Sequence, residues 1–276
     1  LILTLTVVKY LMRYSLERAI IGVVLINILS EGASIFVLLA FIPPGKKISL
    51  HDFKQDKMIL KDLLDISIPT TGSRLIGSFS YFLEPIILTF TLTKIGYTTD
   101  YITVEYGIIN GYVYSLLLLP SFFTMAISNA LLPVVSHSYS NRNYAYTKYK
   151  IKQAIGISLL IGIPCTIILM RFPEYLLKFI YNTKEGLIYI KVIAPIFLLH
   201  YIQGPLTASM QAMGKAKEAM MGTFYGSILR LFLLFGLSLL HIGMWGLLTA
   251  TLVNITFITI HHFYYVYKSL NEKKNY

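Results

Sequence analysis

Charge is scarce in this chain. Asp, Glu, Lys and Arg make up 13% of the residues, against 55% for the hydrophobic types, where a soluble domain carries about 25% charged residues. So few charges cannot cover an aqueous surface, and the chain reads as a membrane protein. Cysteine is nearly absent. Cys165 stands alone inside an apolar stretch, which excludes a disulfide framework or a cysteine-based metal site within one chain. The histidines include no HExxH or comparable spacing, so His200, His261 and His262 read as core or interface residues, and no metal or cofactor is expected. No signal peptide opens the sequence. It begins at Leu1 within the apolar run LILTLTVVKYLM, too short to span alone, and an N-terminal portion is expected to be missing. A net charge of +11 would suit nucleic acid in a soluble protein. Here the basic residues cluster in short loops between apolar stretches, so no nucleic-acid partner is expected.

What the chain has in abundance is long apolar stretches. Residues 1–12 read as the tail of a spanning helix. Full spans follow at about 16–42, 66–93, 107–136, 151–171, 186–213, 219–240 and 243–267. Each can cross about 30 Å of hydrocarbon at about 1.5 Å per residue. Interior prolines, such as Pro69, Pro85, Pro120 and Pro164, are tolerated because neighbouring helices satisfy the freed carbonyls, and they kink the helices they occupy. Pro43, Pro44 and Gly45 stop the first full span. In the polar loop 44–65, Ser49 to Asp52 resembles a capping box, and Phe53, Leu60, Leu63 and Leu64 alternate with Lys and Asp. This pattern fits either an amphipathic helix on the membrane surface or a solvated linker helix. The expected architecture is all-α, an integral membrane bundle of many spans.

Loops 43–65, 137–152 and 214–218 and the tail 268–276 hold fourteen of the 24 Lys and Arg residues, and the alternate loops hold six. The bias places loop 44–65 and the C-terminus in the cytoplasm of a multi-pass protein of the cell membrane. An internal repeat is faintly visible: residues 1–42 and 225–266 share a pattern of helix, short turn, glycine (Gly22, Gly246) and helix at a shift of 224. A parallel repeat of this kind marks transporters built from two similar lobes. The span at 16–42 would then close lobe one (residues 1–43). Residues 44–65 would link the lobes, residues 66–267 would form the six helices of lobe two, and 268–276 would be a cytoplasmic tail.

The span at 66–93 carries costly residues: Arg74, Glu84, Pro69, Pro85 and a run of small polar side chains. Lipid-facing helices disfavour them, whereas helices lining a polar cavity use them. Thr70, Thr71, Ser78 and Tyr81 fall near the face of Arg74 and form a polar stripe. The stripe favours a cavity for Arg74 over snorkelling to head groups. Arg230 lies mid-span among apolar neighbours and must face either a carboxylate or a substrate. Glu84 precedes Pro85, which frees a backbone carbonyl. It could hold Na⁺ or a proton, or pair with Arg230 or with a cation of lobe one. Ten residues, roughly 15 Å along a helix, keep it from Arg74. Glu31, mid-span in 16–42, is open to both the functional and the structural reading. Asn110, Asn129 and Asn254 read as interhelical hydrogen-bond formers.

Three motifs carry a family resemblance. They are IPTTGSRLIGS at 68–78 followed by FLEP at 82–85, ALLPVVS at 130–136, and IGMWGLLTAT at 242–251. A further point of likeness is Glu31-Gly32, where the order is reversed from a Gly-Glu pair. Together they resemble the C-terminal half of the stage V sporulation protein B and polysaccharide-exporter (MurJ-like) branch of the MOP flippase superfamily. The resemblance covers essentially the whole chain. It implies the second lobe of a flippase that moves a polyprenyl-pyrophosphate-linked saccharide, lipid II or another envelope precursor, by alternating access. The implied partners are that substrate, membrane lipids, an absent N-terminal lobe and a coupling H⁺ or Na⁺. Flipping an anionic head group calls for fixed cations, and Arg suits phosphate through its bidentate fork. Arg74, Arg230, Ser78 and Tyr81 are thus the expected substrate residues, with Glu84 and Glu31 as coupling or structural carboxylates. A MATE-like cation-coupled drug exporter is the alternative within transport. A membrane glycosyltransferase is the alternative from another class, disfavoured because His51 and the aspartates of 44–65 read as a solvated face; no enzymatic activity is expected.

Overall fold

The computed structural model describes residues 2–41 and 57–272, all of them in helices or the turns between helices. They divide into two units, 1–56 and 57–276. The first holds a helical hairpin, α1 (Ile2–Leu11) and α2 (Leu16–Ala40). Ser15 Oγ caps α2 by accepting from the backbone N–H of Arg18 at 3.2 Å. Gly22 lets the two helices approach, since a Cβ there would lie 2.5 Å from Leu11 Cδ1.

The second unit begins with α3 (Lys57–Lys94), 38 residues that run unbroken through Pro69 and Pro85. Residues 57–65, expected to hold part of a linker helix, are helical and run into the span without a break. Nothing between Lys57 and Ile66 stops a helix, and Leu60, Leu63 and Leu64 keep its periodicity. The remainder of that expected linker, with its capping box, lies outside the described residues.

Helix α4 (Thr99–Ile108) widens into a π turn (Ile109–Tyr114), resumes as α5 (Ser115–Leu118), and meets α6 (Ser121–Ser140) at a 51° bend at Pro120. There follow α7 (Tyr144–Arg171), a short α8 (Pro173–Tyr181), α9 (Leu187–Ala212), α10 (Ala216–Ser238) and α11 (Trp245–Glu272). Six of the described helices are long and apolar enough to cross a membrane, or seven if the bent pair counts as one span. That agrees with the seven expected spans. Helix α8 was not foreseen, because its nine residues fall below any hydropathy signal.

Helix α9 packs against α6, α7 and α11, while α10 lies between α3 and α11. One buried cluster gathers Leu88, Leu92, Val113, Leu177 and Tyr201; a second gathers Leu131, Val135, Leu206 and Met210. Small residues set the close approaches. Gly162 on α7 faces the ring of Tyr201, whose hydroxyl donates to the Leu117 carbonyl at 2.7 Å.

Candidate functional site

The polar residues of α3 share one face. Ser67, Thr70, Thr71, Arg74, Ser78 and Tyr81 recur at three-to-four spacing, so the stripe runs along the helix rather than around it. Arg74 is exposed and opens onto a cavity of about 610 Å³ between α3, α6 and the end of α9, lined also by Thr70, Thr71, Ser136 and Gln211. Thr70 returns its hydroxyl to the Ile66 carbonyl at 2.7 Å. Arg74 makes no ion pair with a described residue.

Seven residues further on, Tyr81 stands at the rim of a second, smaller cavity of about 320 Å³ among α3, α5, α9, α10 and α11. Behind it, Arg230 of α10 forms an ion pair with Glu84 of α3. Glu84 is fully buried and Arg230 is 3% exposed. Tyr106 of α4 donates its hydroxyl to Glu84 Oε1 at 3.1 Å, and the guanidinium carbon of Arg230 lies 4.3 Å from the centre of the Tyr81 ring. A charge among spanning helices needs a partner of opposite sign; each member of the pair supplies the other's, and Tyr106 adds a hydrogen bond to the carboxylate.

The structure thus separates the expected site residues. Arg74 lies at one cavity; Tyr81 and Arg230 lie at the other; Ser78 is exposed on the same face and lines neither. Of the two readings open for Arg230 and Glu84, pairing with each other is what the geometry holds. Arg74 and Glu84 do not meet, in agreement with their spacing. Glu31 is exposed on α2, in the other unit.

The expected interhelical role of the asparagines is corrected. Asn110 Nδ2 donates at 3.1 Å to the carbonyl of Tyr106 one turn back, within its own helix. The side chains of Asn129 and Asn254 hydrogen-bond to no described residue. Cross-helix bonds come instead from residues that were not singled out. Gln203 Nε2 donates to Ile255 O and Thr259 Oγ1 at 2.8 and 2.9 Å, and Tyr114 donates to Thr251 at 3.1 Å. His262 is buried between Thr207 and the Ala219 carbonyl, the structural placement expected of it.

Membrane-length helices that keep an ion pair and polar-lined cavities among them define a polytopic membrane protein, the class to which solute and lipid transporters belong. The chain carries a MatE domain. The family match covers residues 110–235. Stage V sporulation protein B of Bacillus subtilis (strain 168) is 35% identical over 255 residues, which is 90% of this chain and 49% of that protein. Sporulation protein YkvU of the same organism is 27% identical over 221 residues, 80% of this chain and 50% of that protein. The chain therefore spans about half the length of the curated relatives it matches. Among solved structures, a MATE bound to MaL6 superposes with a TM-score of 0.77 at 17% identity, over 99% of this chain and 61% of that one. A MOP superfamily transporter from Pyrococcus furiosus, described as having a binding pocket of reversed polarity, gives 0.74 at 17% identity over 99% and 61%. These likenesses establish the fold.

Proposed function

We propose that the chain is the second lobe of a flippase that carries a polyprenyl-pyrophosphate-linked saccharide across the cytoplasmic membrane by alternating access. Its work would serve peptidoglycan or another envelope polymer made in sporulation, in keeping with the names of its two Bacillus relatives. One observation carries this reading. Arg74, exposed and free of any ion pair among the described residues, lines a hydroxyl-rich cavity between two spanning helices. An unneutralised guanidinium there suits a phosphate, which it can grip through two parallel hydrogen bonds.

The drug-exporter reading would put a free carboxylate in the cavity to meet a cationic solute. Glu84 is the only fully buried carboxylate among the described residues, and Arg230 already neutralises it. Coupling to H⁺ or Na⁺ through Glu84 would require Arg230 to move away, which leaves Glu31 as the unpaired alternative. The positive-inside bias puts the start of α3 and the end of α11 at the cytoplasmic face, so Arg74 would meet the substrate on entry. No catalytic role is assigned to any residue.

The test is reconstitution of the full-length protein in liposomes with fluorescent lipid II and with a second polyprenyl-linked glycan. Appearance of the label in the opposite leaflet, dependent on protein, is the expected result. Efflux of cationic dyes without lipid movement would overturn the reading in favour of the exporter.

A further inference from the structure

We propose that the cavity behind Tyr81 is a saccharide site, which takes an uncharged pyranose ring of the head group while Arg74 holds the phosphate charge. The inference rests on the flippase reading above and adds a second station to it.

The charge balance of the cavity is the first observation. Among the described residues Arg230 is the only Lys or Arg on its wall, beside His200, no carboxylate lines it, and Glu84 directly behind neutralises the guanidinium. The station therefore offers no net charge to a phosphate or to a cation, unlike the Arg74 cavity. Its wall chemistry is the second observation. Hydroxyls and carboxamides (Ser115, Ser227, Gln203, Asn254) alternate with the rings of Tyr81 and Phe197. A pyranose presents hydroxyls at its edge and C–H groups on its faces, so it needs hydrogen-bonding groups and an aromatic platform together.

Some of these groups are already spent and others are open. Gln203 and Tyr114 bond across to α11, and Ser115 donates to the Asn110 carbonyl at 3.2 Å, so these side chains brace the walls. The carboxamide of Asn254 and the hydroxyl of Ser227 bond to no described residue. An unpaired carboxamide among membrane spans is costly unless water or a ligand meets it. Access and size agree with a guest. The most exposed lining residues, Tyr81 at 58% and Leu118 at 41%, stand on α3 and α5, while Arg230 and Thr251 close the far side at 3% and 8%. A volume of about 320 Å³ lies at the small end of ligand pockets, which run from about 300 to 1,000 Å³.

Register supplies the last observation. Gly77 and Tyr81 follow Arg74 by three and seven residues on the same face of α3, about 4 and 10 Å along the axis. A phosphate at Arg74 thus leaves its attached sugar within reach of the second cavity.

The experiment measures binding of two soluble probes to the full-length protein in nanodiscs. One is farnesyl pyrophosphate; the other is the same lipid carrying N-acetylglucosamine on its terminal phosphate. The wild type should bind the sugar-bearing probe about tenfold more tightly, the worth of one or two net hydrogen bonds. Asn254→Leu should erase that gain and leave the bare probe unchanged. Ser227→Ala, which removes a single oxygen, should reduce the gain and carries the test if Asn254→Leu does not fold. Arg74→Ala should weaken both probes alike. Equal wild-type affinity for the two probes, or a full sugar gain in both cavity variants, overturns the saccharide site and leaves the role of Arg74 standing. An Arg74→Ala protein that binds both probes normally overturns the flippase reading, and this inference with it.

Discussion

Arg230 of α10 and Glu84 of α3 pair with their side chains almost wholly out of solvent, at 4% and 0% exposure. Tyr106 closes the carboxylate and Tyr81 covers the guanidinium. The pair joins two spanning helices at one level and so fixes their register. Desolvating two charges offsets much of their attraction, which makes the contact a better device for specificity than for stability.

Breaking the pair from one side should therefore cost far more than removing it. Glu84→Gln or Arg230→Met alone strands a buried charge or its partner's hydrogen bonds, and about 3–5 kcal/mol of stability should be lost. The double variant should recover most of that loss. Cys165, the sole cysteine and only half-buried, reports unfolding through a thiol-reactive dye during a thermal ramp. A double variant as unstable as the sum of the singles would refute the pairing.

Arg74 should behave in the opposite way. Its side chain is exposed and ion-paired to no described residue, so Arg74→Ala should express and melt like the wild type while flipping falls to background. Arg74→Lys keeps the charge but loses the planar fork, and should retain roughly a tenth of the activity. Leaflet-accessibility assays on matched amounts of protein decide both, and wild-type flipping by the alanine variant would remove Arg74 from the site.

Gly162→Ala should destabilise by about 1–3 kcal/mol, the usual range for overpacking. A Cβ at this position would sit 2.7 Å from Tyr201 Cδ2. The ring is fully buried and tethered by its hydroxyl to Leu117 O, so it has little room to yield. The same dye ramp measures the change. Gly156→Ala, where the added carbon meets nothing within 4 Å, is the matched control and should melt as the wild type does.

On short α8, hydrogen bonds from Lys184 and then Lys178 hold the Glu174 carboxyl below the usual carboxylate range. Because the folded value is depressed, this contribution is present above the unfolded value of about 4.5 and is lost as pH falls through the folded value. Lys184→Met should move the Glu174 titration back toward the ordinary range, as read from the carbonyl resonance of protein carrying ¹³C-labelled glutamate. An unchanged titration would exclude the contact. About half of each of these side chains stays exposed to solvent, which keeps the effect on stability small.

Hydropathy carried most of the fold into view. Every described span follows an apolar run, since a bilayer imposes one length and one composition on whatever crosses it. Boundaries strayed where local signals were weak: Pro69 neither stops nor starts α3, and Lys57 to Asp65 has no breaker. The stripe around Arg74 was readable because its members share one helix, where spacing translates into direction. The pairing of Arg230 with Glu84 stood in the sequence only as one option beside a substrate, a coupling ion and a cation of lobe one. Glu84 lies 146 positions away, and no pattern within either helix says which neighbour it will meet. Tyr106 went unnoticed among 21 tyrosines for the same reason.

The wide turn at Ile109–Tyr114 bears on how this helix tolerates change in length. A π turn holds one residue more than the α-helical path it replaces. Deleting a residue elsewhere in a packed helix rotates everything beyond it by about 100° and turns buried faces outward. Deleting one between 109 and 114 would instead tighten the turn into ordinary α-helix. Ile102 and Ile108 before it, and Leu116 and Leu117 after it, would keep their inward faces. What would be lost is the local arrangement in which the side chains of Asn110 and Ser115 donate to the carbonyls of Tyr106 and Asn110. The segment is thus a place where evolution could add or withdraw a residue, and reshape one cavity wall, without disturbing the rest of the bundle.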